Sequence, residues 1–350
     1  MKPFVKYGFI AVLSVTSILS CAKQMTLTQM QTGYSLLSDE LRNEIKNVEK
    51  SIVGVNADIV YEIHTFNYQM RDGHPVLDPD SPVKYRLNRT TGQGGVSREK
   101  DNKTLSGGGL ILDYNFDGGL YTILTSSHLV VPEDTTDVYY VDDKGQPTDL
   151  LFQRRIIKSV ALSVRGPANW RVHAELLAHD AVDDIAMITA KTKRSLGPEF
   201  HNSIGYDVNL SWGDWVFLFG YPREIKQLTA GWVSTSPYRG TFAVDAVVRF
   251  GFSGGPVFAV SRKKMELVLV GLIKSVPSGT FDFIAPDGTL PVGYALTPAD
   301  APKLRVRRET VVNYGTAYCV NPQRIRAFMR NMRAPLEQAG IELESKYFGL

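Results

Sequence analysis

Between residues 52 and 273 the sequence breaks into nine short apolar runs, and that rhythm limits the folds open to it. "IVGVNADIVYEI", "GGLILDY", "GLYTILTS", "RVHAELLA", "DIAMITA", "DWVFLFGYP", "TAGWVSTS", "GPVFAV" and "MELVLVGLI" are rich in Val, Ile, Tyr and Phe. Clusters of Gly, Pro, Asn and Asp separate them, and runs of that type between such turns make strands. Little helical pattern lies between them, which points to an all-β barrel or sandwich. The span from about residue 51 to 320 exceeds one small barrel and suits two. Residues 65–105, 197–210 and 276–310 read as loops. Helix signals flank the strands: Ser38 ahead of "DELRNEIKNVEK", and Asn321-Pro322 ahead of a charged stretch interrupted near Pro335.

The first 21 residues read as an export signal: Lys2 and Lys6, then the uncharged, largely apolar residues 7–19. That core is short for a spanning helix, which needs roughly 20 apolar residues. It ends "SILSC", similar to the bacterial lipoprotein signal, in which such a cysteine is lipidated and becomes the new N-terminus. Lipid on Cys21 is one reading; plain secretion with cleavage nearby and an uncleaved anchor are the others. Without Lys2 and Lys6 the chain carries 37 basic and 36 acidic side chains, a balance that gives no reason to expect nucleic acid. The one basic run, "KLRVRR" (303–308), reads as a solvated face. Only Cys21 and Cys319 exist, so a lipidated Cys21 leaves no intramolecular disulfide and the core must hold the fold. No metal or other cofactor is expected: "HAELLAH" (173–179) lacks HExxH spacing and reads as an alternating strand.

"RFGFSGGPVFAV" (249–260) holds a serine between glycines. A serine hydroxyl needs a base to take its proton and an acid to orient that base. The six histidines, His64, His74, His128, His173, His179 and His201, all precede Ser253. "GFSGG" fits the GxSxG elbow of α/β-hydrolases, but their histidine comes last, so that reading fails. The surviving order is His, Asp, Ser. His128 lies in "YTILTSSHLV", where a strand runs into small residues, and Asp184 lies in "DAVDDIAMI", at the mouth of an apolar strand.

On these motifs the chain resembles a chymotrypsin-fold, trypsin-like serine protease, and most the bacterial periplasmic HtrA-type branch. "SGGGLILDYNFDGGLYTILTSSHLV", "AELLAHDAVDDIAMI", "GDWVFLFGYPREIKQLTAGWVS", "DAVVRFGFSGGPVF" and "YGTAYCVNPQRIRAF" carry the resemblance over about residues 50–330. It implies two six-stranded antiparallel β-barrels with a C-terminal helix, in a protease domain over 51–330. A signal segment (1–21) and a helical segment (22–50) would precede it, and a tail (331–350) would follow. It implies a catalytic triad of His128, Asp184 (rather than Asp183) and Ser253, an oxyanion hole from the Gly251 and Ser253 N–H groups, and a protein or peptide substrate. The implied location is exported, at the periplasm or cell envelope, with membrane attachment only through Cys21.

The chain departs from the pattern at Phe252, where this branch has Asn and digestive relatives have Asp. Activation by an ion pair from a freed N-terminus therefore lacks its acceptor. Phe252 and the large insertions motivate an alternative, a catalytically inactive protease-fold binding protein. About 20 residues follow residue 330, fewer than a PDZ domain needs, so the regulation and assembly of that branch are not carried over. The fold puts the residue six before the serine at the base of the primary pocket. Val247 there, with Val248 beside it, implies cleavage after small or medium apolar residues. The 276–310 insertion should border that pocket.

Overall fold

A computed structural model describes residues 37–90, 94–142, 146–205, 210–261, 266–286 and 293–348. The signal segment, Cys21 and most of the expected N-terminal helical segment lie outside them. Helix α1 (Asp39–Glu49) begins at Ser38, whose side chain accepts from the Leu41 N–H. Strand β1 (Ile52–Phe66) follows, then a short hairpin of β2 (Met70–Arg71) and β3 (His74–Pro75). The first barrel continues through β4 (Val96–Asn115), β5 (Leu120–Thr125), the one-turn helix α2 (Ser127–Val130), β6 (Thr135–Val141), β7 (Pro147–Arg165), β8 (Arg171–Asp180) and β9 (Ile185–Lys191). Its strands run in the order β1-β4-β5-β9-β8-β7, closed by antiparallel pairing of β1 with β7, and β6 hangs on the far side of β7.

The second barrel uses β10 (Trp215–Gly220), β11 (Gln227–Ser234), β12 (Thr241–Asp245), β13 (Pro256–Val260) and β14 (Leu267–Ser275). A separate hairpin of β15 (Ser278–Pro286) and β16 (Leu304–Val312) intervenes before β17 (Thr316–Val320) and helix α3 (Pro322–Gln338). The closed order is β10-β11-β12-β17-β14-β13, again antiparallel. The two six-stranded barrels and the C-terminal helix expected from the resemblance are thus present. Among the described residues no helix is long and apolar enough to cross a membrane.

Side-chain alternation explains why several strands are apolar without a break. Ile111, Ile123 and Ile188 point into the first barrel, while their neighbours Leu110, Leu112, Leu124 and Met187 join a second cluster between the barrels. In the second barrel Val216, Leu218, Val268 and Val270 face inward, and Phe217, Phe219, Leu267 and Leu269 enter that same shared cluster. Strands buried on both faces need apolar residues at every position, not every second one. Val48 of α1 and Ile325 and Phe328 of α3 complete the shared cluster, so both terminal helices brace the barrels.

Three expectations change. The 65–105 segment is loop only in part: β4 begins at Val96 and pairs with β1 out to Phe66, and β2–β3 form a hairpin. The 276–310 segment holds a strand pair, β15 and β16, because its alternating Thr-Phe-Asp-Phe-Ile can pair without a barrel to join. Helix α3 runs through Pro335 to Gln338, and Tyr347 and Phe348 of the expected tail are buried in the shared cluster.

Candidate active site

His128 stands on α2, the single helical turn that follows β5. The strand's buried residues deliver the chain to the cleft, and Ser126 and Ser127, both buried, are small enough to let it turn there. Asp184 is the last residue of the tight turn between β8 and β9. Asp180 shapes that turn by accepting from the N–H groups of Val182 (2.8 Å) and Asp183 (2.9 Å). Asp184 itself takes a left-handed backbone (φ 60), which Asp tolerates better than most residues.

The two side chains are joined. His128 Nδ1 lies 2.8 Å from Asp184 Oδ2 and 3.0 Å from Oδ1, and the His128 backbone N–H donates to Oδ1 at 2.8 Å. Asp184 is 5% exposed, whereas the His128 side chain is 47% exposed toward the cleft. A buried carboxylate held this way fixes which imidazole nitrogen carries the proton and turns Nε2 outward. Asp183 pairs instead with Arg324 of α3 at 3.4 Å.

Ser253 sits on the turn between β12 and β13, tied to both barrels. Its carbonyl accepts from the Gly108 N–H of β4 (2.8 Å), and the Gly254 N–H donates to Ile273 of β14 (2.8 Å). Upstream, the Phe252 N–H donates to the Arg249 carbonyl (3.1 Å), closing a four-residue turn with Gly251 third. Gly251 has φ 101, as a type II turn requires at that place. A Cβ there would also meet Pro222 Cα at 2.5 Å. The Tyr221 N–H donates to the Gly251 carbonyl at 2.7 Å. Tyr221 in turn reaches the Ile52 carbonyl with its hydroxyl (3.1 Å), and burial pushes its phenol well above the usual range. Neither the Gly251 N–H nor the Ser253 N–H has a hydrogen-bond partner among the described residues. Two adjacent amide donors left open beside a serine are suited to receive an oxyanion.

Phe252 is 2% exposed and packs in the core of the second barrel, its ring against Gly220. An apolar anchor therefore holds the turn that carries Ser253.

His128 and Ser253 line one cleft of about 580 Å³ together with Gly251, Ile273 and Val276. Among the described residues no hydrogen bond joins Ser253 Oγ to His128, a link that commonly tightens only with substrate in place. The pocket residues expected from spacing do not line this cleft. Val248 is 0% exposed in the second-barrel core, and Val247 is 60% exposed outside the residues that line the cleft. Adjacent residues of extended chain face opposite ways, and here neither direction is the cleft. Ile273, Ser275 and Val276 form that wall instead.

Cys319 is fully buried in β17, and burial pushes its thiol far above the usual range. Glu199, His201 and Glu344 bring their ligand atoms within 4.8 Å of one another, but none lines the cleft, and the Lys346 ammonium already pairs with Glu344 at 2.7 Å.

Residues 107–271 match the family described as a trypsin-like peptidase domain. The "Probable periplasmic serine endoprotease DegP-like" of Bartonella henselae is 30% identical over 140 residues, 37% of this chain and 25% of that protein. The chain thus spans about a quarter of that relative's length. A solved structure of an HtrA-type protease with decapeptide superposes with a TM-score of 0.46 at 14% identity, covering 87% of this chain and 68% of that one. The matched residues hold His128, Asp184 and Ser253, so the part of the chain that gathers the candidate site is the part similar to a trypsin-like peptidase domain, on two barrels closed in the order given above.

Proposed function

We propose that the protein is an exported serine endopeptidase working through an acyl-enzyme. The observation that carries this reading is the closed His128–Asp184 pair, its carboxylate buried and its imidazole exposed in the cleft that also holds Ser253. Ser253 Oγ attacks the scissile carbonyl while His128 Nε2 takes the hydroxyl proton. Asp184 holds the Nδ1–H and stabilises the imidazolium. The carbonyl oxygen becomes an oxyanion received by the Gly251 and Ser253 N–H groups, each such donor contributing about 3 kcal/mol. Collapse of the tetrahedral species expels the amine, which takes the proton from His128. Water, deprotonated by the same imidazole, then attacks the ester and releases the acid and Ser253.

Cleavage follows small or medium apolar residues, a preference that now rests on Ile273 and Val276 rather than on Val247 and Val248. Residues 1–21 direct export and Cys21 carries lipid, which places the enzyme at the periplasmic face of the cell envelope. The periplasmic character of the Bartonella relative supports that location. A fluorophosphonate probe tests the mechanism. Labelling of wild type, lost in Ser253→Ala, is the expected result. A correctly folded wild type that takes no label overturns it and leaves a protease-fold binding protein.

A further inference from the structure

Four cations surround the cleft: Lys103 on β4, Arg223 in the loop after β10, Arg249 before the nucleophile, and Lys274 on β14. Among the described residues no Asp or Glu lines it. They come from four separate segments, so no run of basic sequence announces them. Among the described residues none of the four has a carboxylate partner. Three acids on the elements around the cleft are engaged elsewhere. Asp184 holds His128, Asp183 holds Arg324, and Glu224 is gripped by Arg165 and Arg171, each at 2.5 Å.

The backbone enforces this arrangement at one point. Arg223 and Glu224 both take left-handed conformations (φ 51 and φ 63), an uncommon state for side-chain-bearing residues. Glu224 turns back to Arg165 and Arg171, while Arg223 is exposed at the cleft. Lys274 spends one donor on the Val182 carbonyl (3.2 Å), which fixes its ammonium near the acid's turn and leaves two donors. The whole chain carries only +3, so the four cations at the cleft do not simply repeat a strongly basic chain. Uncompensated like charges around a concave, partly apolar site focus their field on whatever enters it.

We infer that the cleft selects acidic peptides: Ile273 and Val276 receive an apolar side chain at the scissile bond, and Asp or Glu residues flanking it pair with Lys103, Arg223, Arg249 and Lys274. This rests on the protease reading for which bond is cut, but binding can be measured without turnover. Ser253→Ala in the full chain is titrated with two fluorescent synthetic peptides that share an apolar centre, one flanked by Asp and Glu, the other by Asn and Gln. The acidic peptide should bind about tenfold tighter at low salt, a gap that narrows at physiological ionic strength. Adding Arg223→Asn (Asn tolerates the left-handed backbone) and Lys274→Gln should remove most of that advantage. Equal affinities for the two peptides, or an advantage untouched by the double substitution, would overturn the inference. Preferred binding of the acidic peptide, with wild type neither cleaving it nor taking the fluorophosphonate label, would uphold the charge selection while defeating the protease reading.

Discussion

The first barrel is built on strands of 15, 20 and 19 residues (β1, β4 and β7), whereas no strand of the second exceeds 9. The contrast extends to what each brings. The first supplies the His128–Asp184 pair entirely from its own elements, α2 and the β8–β9 turn. The second supplies Ser253 on a turn that depends on both barrels, through Gly108, Ile273, Tyr221 and the buried Phe252 ring. Orientation of the proposed base is therefore a local property of one barrel. Placement of the proposed nucleophile is a property of how the two barrels dock.

Breaking the local pair should separate chemistry from stability. Asp184→Asn keeps a side chain that accepts the left-handed backbone and can still receive the His128 N–H, but it presents an amide N–H to the imidazole. The wrong tautomer should lower kcat on the order of 10⁴-fold. Unfolding free energy should move by about 1 kcal/mol or less. Steady-state peptide turnover with parallel denaturant melts checks both. Stability that collapses along with activity would erase the distinction between the barrels.

The docked turn should behave in the opposite way. Phe252→Ala removes a ring from the packed second-barrel core, at a cost of about 3–5 kcal/mol in unfolding free energy. Turnover should fall as well, because the same residue anchors the turn that carries Gly251 and Ser253. Phe252→Leu, which keeps most of the volume, should recover most of both. Turnover lost with the melting midpoint unchanged would mean that the ring acts on the chemistry alone.

His128 and Asp184 were legible because strand, turn and polar residue follow one another within a few positions. Ser253 needed the whole chain, since the order of the histidines and the lack of helices between strands are what exclude an α/β-hydrolase. Phe252 could be read as a departure but not as an anchor, because its contact with Gly220 joins turns far apart in sequence. Val247 and Val248 misled for a related reason: an offset counted from the serine does not say which way an extended pair of side chains points. The four cleft cations were invisible, since each is one ordinary surface residue until the fold gathers them. Strand pairing in 65–105 and 276–310 was hidden by the Pro, Gly and Asp that also mark loops.

The smallest expected effect lies where the first barrel runs on past its closure. Phe66, Tyr68, Val83 and Leu151 form a separate small core there, and β6 is attached at the outer side of β7. Arg154 grips Asp137 with two hydrogen bonds of 2.7 Å, and that bond holds the Asp137 carboxyl below its ordinary range. Its folded-state pKa is depressed, so the stabilisation is present above the unfolded value of about 3.9 and is lost as pH falls through the lower folded one. The pair is partly exposed, so solvent screening limits it to about 1 kcal/mol or less. Asp137→Asn should therefore lower the urea midpoint slightly near neutral pH, and the gap from wild type should close in acid below the folded pKa. A larger loss, or one accompanied by reduced turnover, would mean that the extension is coupled to the cleft rather than appended to a barrel that is stable without it.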